Sequence, residues 1–262
     1  GIITMTAFKG LLMKDFYISR NWFMACLIGD AVFLLIPFVV GTYVNVPLSF
    51  IPIVLFMVLG FHIFLLPAML IQMLQLEGKT QLWLYNPQSS NKLLLSKLVV
   101  CFGYQLISQL FLTVIGLVIF MFLRDEIPFG TTFIFKGIIL FNTALLGIGL
   151  YLSCWVMFYW CIYHSLGKFP MIKSFRWVIL ILIFFSYNAI QAMLGKLGLL
   201  REVANQWTVS LMLNQEFTYE QGAWSAEITP VEFPVFILIL YILLAFSLFI
   251  YSSWLLDRKI EV

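Results

Sequence analysis

Gly78-Lys79-Thr80 is the tripeptide that ends a phosphate-binding P-loop, where backbone N–H groups of a glycine-rich turn wrap around phosphates. That chemistry needs a first glycine five residues earlier, and the position holds Met73. The residues leading in, 65–76, form an apolar run of helical length with no strand followed by a turn. The tripeptide therefore does not mark a nucleotide site, and the chain holds no other match to the P-loop pattern. Leu76 to Lys97, the polar interval around it, needs another explanation.

A second set of candidates lies inside the apolar runs: Asp30, His62, Gln105, Gln109, Asn142, Asn188 and Gln191. Ionisable and polar groups at membrane depth mark ion or substrate routes, or serve as glue between helices. Asp30 stands out, because its charged form costs about 2.5–3.5 kcal/mol at the centre of a span. Protonation, a partner or a wet cavity would relieve that cost. His62 carries the same ambiguity. Gln105 and Gln109 are four apart and share a helix face, either lining a translocation route or bridging helices.

Metal and enzyme chemistry find little support. His62 and His164 are too far apart in sequence to suggest a metal site. Cys26, Cys101, Cys154 and Cys161 form no C-x-x-C pair and read as small apolar packing residues. An intramembrane enzyme needs clustered Glu/His or Ser/Lys pairs. The few such residues here are scattered, so no catalytic residue and no enzymatic activity are expected.

The elements that position these groups follow from composition. Of the 262 residues 63% are hydrophobic and only 10% charged. A soluble domain carries about 25% charged residues, and this chain cannot cover a water-facing surface. Six apolar runs reach the length needed to cross a bilayer, at about 22–44, 51–74, 95–123, 133–163, 177–194 and 234–256. The predicted fold is an all-α polytopic membrane protein forming a single transmembrane domain over 1–262. The first run is interrupted by Asp30 and preceded by charges, unlike a cleavable signal peptide.

Lysine and arginine set the orientation. Eleven of them fall on the N-terminus, the 76–97 interval, the 167–176 loop and the C-terminus, against four on the other side. Both termini are thus expected in the cytoplasm, which six spans satisfy. Phe8, Leu11, Leu12 and Phe16 predict an interfacial amphipathic helix over 5–21, with Asp15 as a flaw in its stripe. An external segment over 195–233 separates spans five and six. Within it Val203, Trp207, Leu211 and Met212 predict a short helix over 201–215, after a bend at Gly195 and Gly198.

The interval between spans two and three, 75–94, is a cytoplasmic loop in this topology. It exposes Leu82, Trp83, Leu84 and Tyr85, a patch suited to a protein or membrane contact. Asn86-Pro87 reads as a turn, and Ser90 as the cap of the helix entering span three.

The basic N-terminal segment FKGLLMKDFYISRNW, the six spans, the loop LEGKTQLWLYNPQSSNKLLLSKLV, the long segment before the last span and the terminal LLDRKIEV together resemble a permease subunit of the type 2 family of ATP-binding-cassette (ABC) transporters. The small size is most similar to Gram-positive bacterial exporters, including those for amphipathic peptides such as phenol-soluble modulins. The resemblance implies that the loop is a coupling helix docking on a separate ATPase, a role that falls on Glu77, Gly78, Lys79, Thr80, Gln81, Leu82, Trp83, Asn86 and Pro87. It also implies two ATPase copies, a second permease subunit, ATP and Mg2+ held by the ATPase with no cofactor in this chain, no nucleic-acid partner, and a place among the lipids of a bacterial plasma membrane. The competing expectation is an ion-coupled secondary transporter or channel with Asp30 and His62 as titrating groups. Such transporters commonly show inverted repeats, and no convincing repeat is present.

Overall fold

The computed structural model describes residues 2–44, 51–80, 88–122, 131–196, 207–220 and 223–259. Six helices are long and apolar enough to cross a bilayer: Ala7–Gly41, Ile51–Thr80, Ser90–Phe122, Ile134–Lys168, Lys173–Lys196 and Val235–Arg258. A backbone in hydrocarbon must satisfy its own N–H and C=O groups, so continuous helix is the form these runs take. These are the marks of a multi-pass membrane protein, with the number of spans the apolar runs predict.

The first helix, α1 (Ile2–Val44), runs through both the expected interfacial segment and the first span without a break. At 1.5 Å per residue it is about 65 Å long, twice the hydrocarbon thickness. Its amino-terminal half has a buried seam at every fourth residue: Leu11, Asp15, Ser19 and Phe23. Phe16, placed in the apolar stripe by sequence, is exposed instead. Asp15 is thus no flaw in a lipid-facing stripe; it lies on the face that meets the bundle.

The second span is broken. α2 (Ile51–Phe61) passes through a 3-10 turn at His62–Phe64 into α3 (Leu65–Thr80). The turn closes with the Leu65 N–H donating to the His62 carbonyl. Pro67, which has no N–H to give to the carbonyl four residues earlier, favours the change of pitch here. α3 then runs on to Thr80, so Glu77, Gly78, Lys79 and Thr80 are helical rather than loop. Gln81, Leu82, Trp83, Asn86 and Pro87 lie outside the described residues. α4 (Ser90–Phe122) and α5 (Thr131–Ser165) are 33 and 35 residues long. The Ser89 carbonyl accepts the first helical N–H bonds of α4, while the Ser90 hydroxyl, expected to cap, donates to Asp257.

The chain divides into two compact units. Residues 1–165 with 248–262 form one, in which α1 packs on α4 and α2, and α3 and α4 pack on α5. Its apolar centre is Leu34, Leu59, Leu112 and Leu145. Lipid is as apolar as leucine, so this centre contributes packing more than hydrophobic transfer. Within this unit the Lys14–Glu77 and Ser90–Asp257 contacts bring the first and last helices to the same end of α3 and α4.

Residues 166–247 form the other unit, with 3-10 turns at Leu166–Lys168 and Lys173–Phe175, then α6 (Arg176–Lys196), an antiparallel hairpin of β1 (Thr208–Glu220) and β2 (Ala223–Pro234), and the first half of α7 (Val235–Lys259). The hairpin corrects two expectations: the chain is not purely α-helical, and residues 208–215 are strand where a helix was predicted. Apolar residues alternate at Val209, Leu211, Leu213, Phe217 and Tyr219, the period of a strand. Pairing runs from Thr208↔Pro234 to Glu220↔Ala223, with a bulge between Leu211↔Val231 and Asn214↔Thr229. Pro230 falls at that bulge, where its missing N–H breaks no ladder bond.

A cysteine in place of the exposed Ser89 should be shielded in intact cells from a membrane-impermeant thiol reagent, and one in place of Ser225 in the hairpin should react. The reverse pattern inverts the topology.

Candidate functional site

Two polar layers lie inside the first unit. The first begins with Asp15, whose side chain is 2% exposed. Ser96 donates to its Oδ2 at 2.5 Å, and Lys97 Nζ lies 3.3 Å from its Oδ1. Lys97, 1% exposed, also reaches Glu77 Oε2 at 2.8 Å. Lys14 closes the ring, 2.5 Å from Glu77 Oε1 and 3.3 Å from Asp15 Oδ1. Two ammonium groups alternate with two carboxylates, so the layer is neutral as a whole while each member faces opposite charge. Tyr104 stacks on Phe23 with ring centroids 4.3 Å apart and donates to the Phe16 carbonyl. Ser19 donates to the Asp15 carbonyl and lies 3.0 Å from the Tyr104 hydroxyl. Three chain segments distant in sequence are thereby clamped: the first half of α1, the end of α3 and the start of α4.

Of this layer only Glu77 was a sequence candidate, and for a different role. The GKT tripeptide also acquires a structural account. Gly78 lets the Trp160 ring of α5 approach so closely that a Cβ would lie 3.1 Å from Cζ2. The Thr80 hydroxyl donates to the Leu76 carbonyl within the helix. Because the residues preceding Gly78 are helical, no loop is present to cradle a phosphate.

The second layer brings together two candidates that are 32 residues apart in sequence. His62 Nε2 lies 3.2 Å from Asp30 Oδ2 and 2.7 Å from Ser108 Oγ, and Ser108 Oγ lies 3.0 Å from the same Oδ2. His62 Nδ1 is 2.9 Å from the Val58 carbonyl, which only accepts, so Nδ1 carries a proton. The Ser108 hydroxyl donates to Asp30 Oδ2, and a proton on Nε2 would donate to Ser108 Oγ while facing the same Oδ2. The layer joins an imidazole, a hydroxyl and a carboxylate at one point. It is not a hydrolytic triad: there a carboxylate orients Nδ1 and leaves Nε2 to the serine, whereas here both partners meet at Nε2.

The remaining candidates separate. Gln105 donates to the Leu145 carbonyl at 3.1 Å, and Gly149 leaves room for its amide, where a Cβ would come within 2.6 Å of Oε1. Gln109 is 2% exposed, and neither polar atom of its side chain has a hydrogen-bond partner. Asn142 donates to Thr113 across α4 and α5 and to its own helix at Ile138. Asn188, in the second unit, only donates back to Phe184. Gln191 there reaches the hydroxyls of Tyr187 and Tyr241. Among the described residues no group of three metal-ligating side chains occurs. Cys101, Cys154 and Cys161 are buried and Cys26 half-buried, all as free thiols.

Reading by sequence missed Lys14, Asp15, Ser96, Lys97, Tyr104 and Ser108. A signal was present for the charged ones. Asp15 interrupted an apolar stripe, and Lys97 is the last charge before a long apolar run. The partners lie on different segments, and sequence spacing does not reveal them.

The chain is 31% identical to the uncharacterized protein YhcE of Bacillus subtilis (strain 168) over 269 residues, a match covering 98% of this chain and 100% of YhcE. At that likeness the chain belongs to the family of YhcE. No family model matches, and no solved structure does.

Lys97→Met removes the cation shared by both buried carboxylates. It should destabilise the detergent-solubilised protein by about 3–5 kcal/mol, as breaking a buried pair does. Lys14→Met should cost less, because its side chain is 31% exposed and water can stand in. Thermal unfolding of both variants ranks them, and equal shifts argue against Lys97 as the centre. In the second layer, His62→Leu strands Asp30 beside a single hydroxyl, whereas Asp30→Leu leaves Ser108 free to donate to His62. The single His62→Leu variant should therefore be the less stable of the two, and adding Asp30→Leu to it should recover stability. Strict additivity of the two changes would show that the pair is not coupled.

Proposed function

We propose that this chain is the membrane-spanning subunit of an ATP-driven exporter of the type 2 ABC class, paired with a second permease subunit, identical or not, and energised by two copies of a separate cytoplasmic ATPase that hold the ATP and Mg2+. The observation that supports this best is the charge clamp. Glu77 stands four residues before the segment 81–87, and Lys97 lies soon after it. Both side chains are locked to Lys14 and Asp15 of α1. A displacement applied to the segment between α3 and α4 is therefore passed to α1 and α4 together, as coupling to an external motor requires. Opening and closing of the bundle would follow as a population shift driven by the difference in ATPase binding to the two states. In this reading Leu82 and Trp83 anchor the ATPase, Gln81, Asn86 and Pro87 shape the loop, and the membrane is the plasma membrane of a bacterium. The aromatic-rich spans suit amphipathic peptides or other hydrophobic cargo.

A second reading is favoured by one observation of its own. Asp30 and His62 meet at 3.2 Å, two titratable groups inside apolar spans, which an ion-coupled transporter needs. The two readings divide on the energy source. Purification from the native host with a stoichiometric ATPase supports the first. Transport that persists without any ATPase, and stops in Asp30→Asn while the protein stays folded, supports the second.

Truncation of a buried aromatic anchor costs about 2 kcal/mol or more, while rim charges cost less. Trp83→Ala should therefore abolish ATPase co-purification and stimulated ATP turnover, with the permease remaining monodisperse. Unchanged partner binding by Trp83→Ala removes this loop from the interface.

A further inference from the structure

A cleft of about 200 Å³ opens between α1 and α3, beside the charge clamp. Its walls include Ser19 and Trp22 of α1 and Gln72, Gln75, Leu76 and Lys79 of α3. Three features of this wall are unusual together. Trp22 and Leu76 are 59% and 42% exposed, an apolar rim facing outward. Lys79 is exposed and, among the described residues, has no carboxylate within ion-pairing distance, while Lys14 and Lys97 close by are both paired. Gln72 Oε1 is buried in the wall and receives no hydrogen bond.

We propose that this cleft binds the headgroup of an anionic phospholipid whose phosphodiester carries hydroxyl groups, such as phosphatidylglycerol. The rim matches acyl chains, since tryptophan at a span end sits at headgroup depth. The free lysine matches the phosphate and disfavours headgroups with their own ammonium group. The Gln72 carbonyl oxygen needs a donor, and a glycerol hydroxyl supplies one where choline cannot. Lysines near a membrane surface contribute about 1 kcal/mol each toward anionic lipid, enough for selective occupancy when joined to a hydrogen bond. Wedged between α1 and α3, the lipid would brace the same pair of helices that the Lys14–Glu77 contact ties. The inference does not depend on an ATPase partner, and its test contains none.

The test is native mass spectrometry of the full chain, purified in mild detergent and supplied in turn with phosphatidylglycerol, phosphatidylethanolamine and phosphatidylcholine. One phosphatidylglycerol per chain should be retained in preference to the other two. Lys79→Gln and Gln72→Leu should each lower that retention about fivefold, and Lys79→Arg should keep it. Thermal unfolding without added lipid checks that the variants fold, and phosphatidylglycerol should stabilise the native chain more than either variant. Equal retention of the three lipids, or variants that bind as the native chain does, overturns the site. Displacement of the lipid by millimolar inorganic phosphate would make it a soluble-anion site and overturn the lipid assignment.

Discussion

Lys97 is the interaction on which the first unit depends. A lysine with a side chain 1% exposed, in a bundle meant for lipid, is tolerable only with its charge matched and its donors used. Asp15 and Glu77 meet that demand from two other helices, and Lys14 and Ser96 complete the carboxylates in turn. None of the three buried charges, Asp15, Glu77 and Lys97, could stay there alone. Their mutual requirement specifies how α1, α3 and α4 register at this end, a specificity that apolar packing alone would leave loose because leucine and lipid tails are interchangeable partners.

How much of this was legible in the sequence follows from the range of each signal. The six helices were legible because an apolar run long enough to cross a bilayer is a local property. Asp30 and His62 were flagged by their cost at membrane depth, yet their meeting at one nitrogen of the imidazole depends on how α1 and the break in span two face each other. Asp15 was read as a defect because the partner that gives it meaning, Lys97, is 82 residues away. The hairpin is a different kind of miss. Val209, Leu211, Leu213, Phe217 and Tyr219 alternate as a strand should, but Trp207, Leu211 and Met212 also fit a helical turn, and a span-rich context favoured the helix. The register with Ala223–Pro234 decides between them by giving the backbone a partner that no isolated period can show.

The break in span two and the second polar layer belong together physically. The 3-10 turn begins at His62 itself, and the imidazole bonds the Val58 carbonyl one turn earlier. The polar contact thus sits where the span changes pitch. Removing either side chain would alter that contact while leaving the apolar packing around Leu59 and Leu112 in place. Backbone pitch and the polar contact are therefore linked at this point.

α4 joins the two layers. Its buried face carries Ser96, Lys97, Tyr104, Gln105, Ser108 and Gln109 in sequence, so one continuous helix supplies members of the charge clamp and of the Asp30–His62 pair. Ser108 lies eleven positions after Lys97, about 16 Å along the helix. A shift of α4 that loosened Ser108 from Asp30 would have to move Lys97 against two carboxylates, and the low dielectric around them resists that motion. The unpartnered amide of Gln109 lies one residue beyond Ser108 on the same face. An unsatisfied amide in hydrocarbon raises the free energy of this arrangement relative to one in which it finds a partner. The clamp and the Ser108 contacts hold α4 at two levels against that cost.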